Sequence, residues 1–357
     1  MTLSNIFFGK KVVQQAYLNN ALIYQSKGWE TLPSTCSEVW TKELGIVNTD
    51  TVNQCLTDSN NNIYVLTHYQ IFKLNSEGTL IWSQTITGIQ RIAIDTDNDV
   101  YITFADINYS YIAKLDNNGN IENKFKASGD LCNVITNFTV DGNYFYLSGN
   151  YNNNSNYYFF KIDKQGKLIN QIDLELNEST LVEDDLFLYA GLRNNLIKID
   201  KSNIFYVTVF TPPTNLTYNI TNVFLDGLGN AIVIDESETV YKYNFENNLS
   251  TKYSLNTIYS NFTATLDYQK NLYFIWGESQ NNIVNNIVNV VDLIKYSSDG
   301  TLIFNTQILK DKSSAILNGK LSADNNGNIY YLYTKYDSNL NYNLIVKKLI
   351  NIEQKGN

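Results

Sequence analysis

One phrase recurs seven times in this chain, about 44 residues apart: a turn rich in Asp, Asn and Gly, then a run of β-branched and aromatic residues. Asn and Asp tolerate positive φ and Gly adopts it freely, so such turns favour β-hairpins. A fixed period of this kind requires an architecture built from one repeated unit. The copies begin at Asp58, Asp95, Val140, Glu183, Asp226, Asp267 and Asp324.

A second phrase follows each copy of the first: a short strand, a tight polar turn and another strand. Examples are "IFKLNSEGTLIWSQ" (Ile71–Gln84) and "DLIKYSSDGTLIFNT" (Asp292–Thr306). Each repeat therefore holds four strands, A to D, and no apolar spacing typical of a helix is sustained anywhere. Seven such repeats predict an all-β fold, a seven-bladed β-propeller of four-stranded blades. A two-sheet sandwich would not explain a four-strand period kept in phase seven times.

The two ends of the repeat array are incomplete in complementary ways. The seventh copy, "LIVKKLINIEQKGN" from Leu344, lacks a D strand, whereas "SEVWTKELG" from Ser37 is a D strand with no A, B or C before it. A free edge at the seam of the ring would be a liability. We therefore predict a propeller at 37–357 that is closed by its N-terminal strand. The residues expected to pair across the seam are Val39, Trp40, Thr41, Lys42, Leu344 and Val346.

The repeat phrases resemble those of PQQ-like and NHL-like propellers, in which a "D-x-x-G-N-x-Y-V" hairpin precedes a "K-x-D-x-x-G-x-x-x-W" hairpin. The resemblance runs from Ser37 to the C-terminus. It implies the fold and leaves the function open, because propellers host many activities.

One lysine recurs in strand C, and we interpret it as a packing residue whose stem covers apolar surface between blades; a ring that binds anions is the alternative. These lysines are Lys73, Lys114, Lys161, Lys198, Lys242, Lys295 and Lys347.

Residues 1–36 lie outside the predicted ring and read as two or three short strands with a turn at Leu18–Ala21. They resemble a short N-terminal module of tailed-bacteriophage structural proteins, in which "N-I-x-x-G" precedes "V-x-x-x-Y-L-x-x-x-L-I-Y". The resemblance implies attachment to other virion or tail proteins, at a tail tip, baseplate or fibre. An ordinary β-extension packed on the propeller rim is the alternative. The matching residues are Asn5, Ile6, Gly9, Val13, Tyr17, Leu18, Leu22, Ile23 and Tyr24.

Charge and hydropathy exclude two classes of partner. The formal net charge of −9 argues against nucleic acid, because phosphate contacts need clustered Lys and Arg. The sequence has no stretch of about 18 apolar residues, so it predicts no membrane span. The N-terminus has no pattern of a signal peptide. We therefore expect a protein made in the host cytoplasm without a signal peptide. Its location in a virion or a phage-tail-like particle is what the resemblance of residues 1–36 implies.

The sequence offers little for catalysis, and we predict no enzyme, no cofactor and no metal. It has one histidine, His68, and no nucleophile elbow, P-loop or CxxC. Its 35 carboxylates do not single out an acid–base pair. A calcium loop at Asp95, Asp97 and Asp99 is the alternative for metal. The four tryptophans follow no per-blade pattern, which argues against a quinone cofactor.

The B–C and D–A links vary in length and gather on one face, where propellers usually bind ligands. The longest are Glu278–Val291, Asn150–Tyr157 and Phe210–Thr221. They are rich in Asn, Ser, Thr and Tyr, which suit sugars or a protein partner. We expect a non-enzymatic virion structural protein that contributes to binding host cell-surface polysaccharide. The alternatives are a polysaccharide hydrolase or lyase and a bacterial protein-interaction scaffold. The tyrosines expected on the ligand face are Tyr109, Tyr151, Tyr157, Tyr218 and Tyr336.

Overall fold

The structure is a computed structural model, and every regular element in its described part is a β-strand. In that part no helix is long and apolar enough to cross a membrane. The described residues are 6–8, 11–13, 15–18, 21–25, 36–47, 52–106, 109–127, 134–150, 157–174, 176, 181–210, 218–237, 239–246, 250–253, 263–279, 288–297, 301–310, 316–336 and 342–351.

Four short strands precede the propeller and form two separate antiparallel hairpins. They are β1 (Ile6–Phe8), β2 (Lys11–Val13), β3 (Gln15–Leu18) and β4 (Ala21–Gln25). In the second hairpin Leu18 pairs with Ala21, at the turn that the sequence predicted. The predicted attachment residues Ile6, Tyr17, Leu18, Leu22, Ile23 and Tyr24 lie in these strands, and their side chains fall outside the described part of the structure.

The strand β5 (Cys36–Val47) comes next and is followed by six complete four-stranded blades. The first three are β6 (Val52–Thr57), β7 (Ile63–Thr67), β8 (Gln70–Leu74) and β9 (Leu80–Thr85); β10 (Ile89–Ile94), β11 (Val100–Ala105), β12 (Ser110–Leu115) and β13 (Ile121–Lys126); β14 (Val134–Val140), β15 (Tyr144–Asn150), β16 (Tyr157–Asp163) and β17 (Leu168–Asp173). The next three are β18 (Val182–Glu183), β19 (Phe187–Leu192), β20 (Asn195–Asp200) and β21 (Val207–Phe210); β22 (Ile220–Leu225), β23 (Asn230–Asp235), β24 (Val240–Asn244) and β25 (Ser250–Tyr253); β26 (Thr263–Leu266), β27 (Leu272–Ser279), β28 (Val288–Tyr296) and β29 (Leu302–Lys310).

The seventh blade is closed by a strand from the other end of the chain. Its first three strands are β30 (Ile316–Ala323), β31 (Ile329–Tyr336) and β32 (Tyr342–Asn351), and its fourth is β5. The described residues therefore form a seven-bladed propeller of four-stranded antiparallel blades, closed by its N-terminal strand. The predicted fold is confirmed.

Pairing across the seam sets β5 antiparallel to β32. Val346 lies opposite Lys42, and Lys348 lies opposite Trp40. The seventh blade is also hydrogen-bonded to the first. Trp40 Nε1 and Lys348 Nζ both donate to the backbone oxygen of Ser76, in the C–D turn of blade one, at 3.2 and 2.9 Å. The closing strand is longer than the sequence predicted, because it begins at Cys36 and ends at Val47.

The core lies between the blades. The described residues contain seven clusters of buried apolar side chains, one at each interface between neighbouring blades, including the interface between blades seven and one. Second strands are buried on both faces, as in β7, whereas fourth strands such as β9 are largely exposed. The first strands of neighbouring blades contact one another, for example β6 with β10 and β30. These first strands therefore surround the central channel.

Antiparallel order places the A–B and C–D turns at one end of each blade, which we call the turn face. The B–C and D–A links lie at the other end, the link face. One predicted link is shorter than expected, because β27 continues to Ser279 and β28 already begins at Val288. Long strands there extend the hairpin into the Glu278–Val291 segment that the sequence assigned to a link.

Candidate functional site

A cavity of about 570 Å³ opens on the turn face. Its walls come from the ends of the first strands and the A–B turns of blades four to seven, in order around the channel. Phe224 and Leu225 supply apolar surface, Asn230 and Asn325 supply amides, and Glu183 and Lys270 supply charge. The volume lies within the range of small-molecule sites, which combine apolar walls with a few polar groups.

An aspartate at the start of each A–B turn shapes this end of the blade. Asp324 is typical: its Oδ1 accepts from the backbone N–H groups of Asn326 and Asn328, both at 2.9 Å. Its Oδ2 accepts from the Asn328 amide at 2.7 Å and from the Tyr330 hydroxyl at 2.8 Å. These bonds satisfy the oxygens of a buried carboxylate inside its own hairpin.

The tyrosine that binds this aspartate recurs in six of the seven blades, always in the second strand. It is Tyr64, Tyr101, Tyr146, Tyr189, Tyr273 and Tyr330, and the aspartates are Asp58, Asp95, Asp141, Asp184, Asp267 and Asp324. Burial, together with the neighbouring carboxylate, raises the pKa of these tyrosines. The hydroxyl therefore stays a donor, and the Asp–Tyr pair is a structural element of each blade.

A strand-C lysine lies opposite each of these tyrosines, as in Lys161 opposite Tyr146. Lys161 Nζ donates to the backbone oxygen of Lys201, in the C–D turn of the next blade, at 2.6 Å. Lys348 makes the same kind of bond to Ser76, from blade seven to blade one. These two lysines join neighbouring blades, whereas Lys114 and Lys242 pair with Asp99 and Asp226 of their own blades.

The structure corrects the lysine of the seventh blade. Tyr330 lies opposite Lys348, whereas Lys347, which the sequence assigned to this position, lies opposite Tyr331. Lys347 reaches Glu38 instead. Two adjacent lysines fit the repeat equally well in sequence, and only the strand register separates them.

The fifth blade replaces the tyrosine by Ile232. There Lys242 Nζ pairs directly with Asp226 Oδ2 at 3.1 Å. The lysine thus occupies the place of the missing hydroxyl, and the aspartate keeps a donor.

Three of the cavity aspartates are engaged by their own turns. Asp184 accepts from two backbone N–H groups and the Tyr189 hydroxyl, and Asp267 accepts from Asn271 and the Tyr273 hydroxyl. Asp324 is held in the same way. These carboxylates hold the turns that form the cavity wall.

Glu183 is the cavity carboxylate that lies outside this pattern. Its Oε2 forms an ion pair with Lys201 Nζ at 2.9 Å, and Lys201 also lies 3.5 Å from Asp141 Oδ2. Burial raises the pKa of Glu183 although the Lys201 ammonium opposes this shift. The pair gives the cavity one polar, charge-compensated corner.

Apolar side chains rise from the turns beside the cavity. Tyr268 lines it and is 52% exposed, and Leu228, between the lining Gly227 and Gly229, is 75% exposed. Leu186, Phe205 and Tyr206 of blade four are exposed on the same face, in the turns of that blade. Exposed apolar groups gathered at a concave site are typical of recognition surfaces.

The sequence prediction placed the ligand face at the opposite end. Tyr218 is half exposed there, and Lys126 Nζ lies 3.4 Å from the ring centroid of Tyr109. Tyr151 lies outside the described residues. Tyr157 and Tyr336 lie in β16 and β31, with side chains outside the described part. The described residues bring none of these tyrosines into the cavity.

A sequence signal for the turn-face cavity did exist. The A–B turns of blades one, two and seven read "DSNNN", "DTDND" and "DNNGN", whereas those of blades five and six read "DGLGN" and "DYQKN". Leu228 and Tyr268 stand at turn positions where the other three turns have Asn, Asp, Ser or Thr. Leu228 and Tyr268 were therefore detectable as exceptions to the repeat.

Two of the three aspartates considered for a calcium loop form ion pairs with lysines. Asp95 and Asp99 pair with Lys164 and Lys114, at 3.1 and 2.6 Å. Within the described residues no cluster of three or more His, Cys, Asp or Glu side chains could hold a metal ion. Burial raises the pKa of the Cys36 thiol to about 12, which leaves little thiolate.

No protein-family model and no curated protein matches the sequence. Solved structures similar to it include "KlHsv2 with loop 6CD replaced by a Gly-Ser linker", with a TM-score of 0.57, 9% identity and coverage of 85% of this chain and 99% of that one. The WD40 β-propeller domain of Doa1 gives a TM-score of 0.56 at 9% identity, covering 89% and 98%. BamB from Moraxella catarrhalis gives 0.53 at 10% identity, covering 90% and 99%. Similarity at this identity shows the propeller fold alone.

Proposed function

We propose that this chain is a non-enzymatic recognition protein that binds a cell-surface glycan in the turn-face cavity. The observation that carries the proposal is the half-exposed Tyr268 ring at a cavity that Lys270 also lines. An aromatic face packs on the apolar side of a sugar ring, and a few polar groups at the same cavity bond to its hydroxyls.

The engaged carboxylates favour binding over glycoside hydrolysis. A glycosidase needs one carboxylic acid and one carboxylate facing the same sugar bond. Asp184, Asp267 and Asp324 accept several hydrogen bonds each within their own hairpins, and Glu183 is paired with Lys201.

We further propose that the chain is a virion structural protein of a tailed phage or a phage-tail-like particle, held by residues 1–36. Support comes from the resemblance of this segment to the N-terminal modules of such proteins. Segments of this length bury too little surface to be stable alone, so the two short hairpins suit folding against a partner. In this arrangement the N-terminal segment anchors the chain and the propeller presents the cavity to the host surface.

Glycan binding is tested by comparing two tyrosines on opposite faces. Tyr268 is 52% exposed at the cavity and Tyr218 is 50% exposed on the link face, so Tyr218→Ala is a matched control for Tyr268→Ala. On an array of bacterial surface polysaccharides we expect wild type and Tyr218→Ala to bind the same glycan, and Tyr268→Ala to lose at least about tenfold in affinity. Loss in Tyr218→Ala alone would place the site on the link face. Binding of no glycan would reject the glycan proposal.

Two further measurements address catalysis and location. Incubation of the bound polysaccharide with the protein should release no new reducing ends or unsaturated sugars; their release would favour the hydrolase or lyase alternative. An antibody against the chain should label purified particles by electron microscopy. Absence of label from particles that contain their full set of tail proteins would reject the virion proposal and leave glycan binding untouched.

A further inference from the structure

Lys270 is an exception to the repeat at the tip of an A–B turn. Its φ is +64°, and its backbone N–H donates to the carbonyl of Asp267. The equivalent residues are Asn61 and Asn98 in blades one and two, at φ of +63° and +65°, and glycine in blades five and seven. Asn and Gly accept this left-handed conformation readily, whereas lysine rarely adopts it. The turn itself therefore favours Asn or Gly here, and a residue held in a disfavoured conformation is a mark of ligand sites.

The side chain of Lys270 crosses from blade six to the A–B turn of blade five. A Cβ at Gly227 would lie 3.5 Å from Lys270 Cε and 4.0 Å from its Nζ. Tyr268, two residues earlier, extends towards blade seven, where a Cβ at Gly327 would lie 3.5 Å from the Tyr268 ring. Both Lys270 and Tyr268 line the turn-face cavity. One turn thus supplies an ammonium and an aromatic ring to the same cavity wall.

Lys270 is the one cation among the described residues that line the cavity. No carboxylate in the described part of the chain forms an ion pair with its ammonium. The lining aspartates accept hydrogen bonds within their own turns, and Glu183 is paired with Lys201. These carboxylates make the rest of the wall acidic, so Lys270 is the point on it where an anionic group can be held.

We infer that the cavity selects an acidic sugar, with the carboxylate of a uronic acid at Lys270 and the apolar face of a sugar ring on Tyr268. This inference rests on the proposed function, because it names the class of glycan that the same cavity holds. A sugar hydroxyl needs only a neutral donor, such as the Asn of blades one and two, whereas a carboxylate gains from the charge of an ammonium. The acidic remainder of the wall repels the carboxylate from other positions and thereby orients the sugar.

The test uses each polysaccharide that wild type binds on the array, in its native form and after its carboxyl groups are reduced to alcohols with carbodiimide and borohydride. We expect wild type to bind the native form at least about tenfold more tightly than the reduced form. The preference should shrink as salt is added, because salt screens the contact between the two charges. Biolayer interferometry at several ionic strengths measures both effects.

Lys270→Asn removes the charge and introduces the residue that the equivalent turns of blades one and two hold at the same φ, so the turn should fold as before. We expect this variant to bind native and reduced forms alike, about as wild type binds the reduced form. Lys167→Asn is the matched control and should keep the preference. Lys167 is exposed in the C–D turn of blade three, on the turn face but outside the cavity lining, and its counterpart in blade two is Asn120. If near-UV circular dichroism shows that Lys270→Asn is unfolded, Lys270→Gly takes its place, since blades five and seven carry Gly there.

The outcomes separate this inference from the proposed function. It is overturned if wild type binds native and reduced forms equally, if it binds neutral polysaccharides alone, or if Lys270→Asn keeps the preference. In each of these cases glycan binding that is lost in Tyr268→Ala would still stand. Binding of no glycan would reject the proposed function and this inference together.

Discussion

Lys347 Nζ lies 2.7 Å from Glu38 Oε2, joining two residues that are 309 positions apart in the chain. Both belong to the seventh blade, Glu38 on β5 and Lys347 on β32. The contact exists only because the ends of the repeat array share one blade. The ring is thus held at its seam by backbone pairing, by this ion pair and by the bonds of Trp40 and Lys348 to Ser76.

Two truncations separate attachment from ring closure. Removal of residues 1–34 leaves β5 whole, so we expect a folded propeller whose melting temperature stays within a few degrees of wild type. Removal through Leu44 takes away most of β5, exposes the edge of β32 and uncovers the apolar cluster between blades seven and one. The second truncation should melt far lower or fail to fold, measured by differential scanning calorimetry. If the two variants melt alike, the closing role of β5 is wrong.

The seam ion pair predicts a pH effect. A hydrogen bond from Lys347, with a smaller one from Thr41, lowers the pKa of Glu38. As pH falls below 4.5, the ordinary value for this group, the unfolded chain takes up the proton first. The stability contributed by Glu38 is therefore present above that pH and is lost as pH falls through the lower value of the folded state.

Glu38→Gln should remove this part of the pH dependence. Because Glu38 is partly exposed, we expect a loss of only about 0.5–1 kcal/mol at pH 7, shrinking towards zero at acid pH. Urea unfolding between pH 3 and 7 measures it. Glu43→Gln, an exposed carboxylate on the same strand, is the control and should follow wild type. A Glu38→Gln variant that loses equal stability at every pH would contradict the assignment.

The fold was predictable because its signals are local. An Asp-rich turn followed by an aromatic run predicts one hairpin, and seven copies of this pattern predict the ring of seven blades. Even the closure at the seam followed from matching an orphan D strand with a blade that lacked one. The assignment of Lys347 in place of Lys348 shows what the sequence does not determine. The strand register decides which of two adjacent lysines lies opposite Tyr330, and the two lysines fit the repeat equally well.

The cavity needed a different kind of information. Glu183, Asn230, Tyr268 and Asn325 come from four blades, and no local pattern states that their turns converge. The sequence prediction placed the ligand face at the opposite end, where the links vary in length, and that placement stays a prediction. The apolar turn tips at Leu228 and Tyr268 carried the usable signal, as exceptions to the repeat.

The fifth blade offers a natural comparison for the lysine position. Lys242 is bound to Asp226, whose side chain is fully buried, whereas Lys73 of the first blade lies over the Tyr64 ring, 5.1 Å from its centroid. Burial disfavours the charge of Asp226, but hydrogen bonds from its own turn and from Lys242 outweigh burial and lower its pKa. Removing Lys242 therefore weakens the compensation of a buried charge, and removing Lys73 does not.

We expect Lys242→Met to lower the free energy of unfolding by about 1–3 kcal/mol, because it deprives a buried carboxylate of a charged donor. Lys73→Met should cost no more than about 1 kcal/mol, the value of a cation–π contact near the surface. Chemical denaturation at pH 7 gives both numbers. Equal losses in the two variants would show that Lys242 is merely a packing residue.

A pair of glycines separates crowding between blades from backbone strain. Gly119 and Gly229 have nearly the same φ, +82° and +83°. A Cβ at Gly119 would lie 2.6 Å from the Trp82 ring of the preceding blade, whereas one at Gly229 would meet nothing within 4 Å. Gly229→Ala should therefore show the backbone term alone, about 1–2 kcal/mol, and Gly119→Ala should lose about 1–3 kcal/mol more. Differential scanning calorimetry of both variants measures the difference. Similar melting temperatures would mean that Trp82 can move aside, and that this aromatic contact does not fix the spacing of the first two blades.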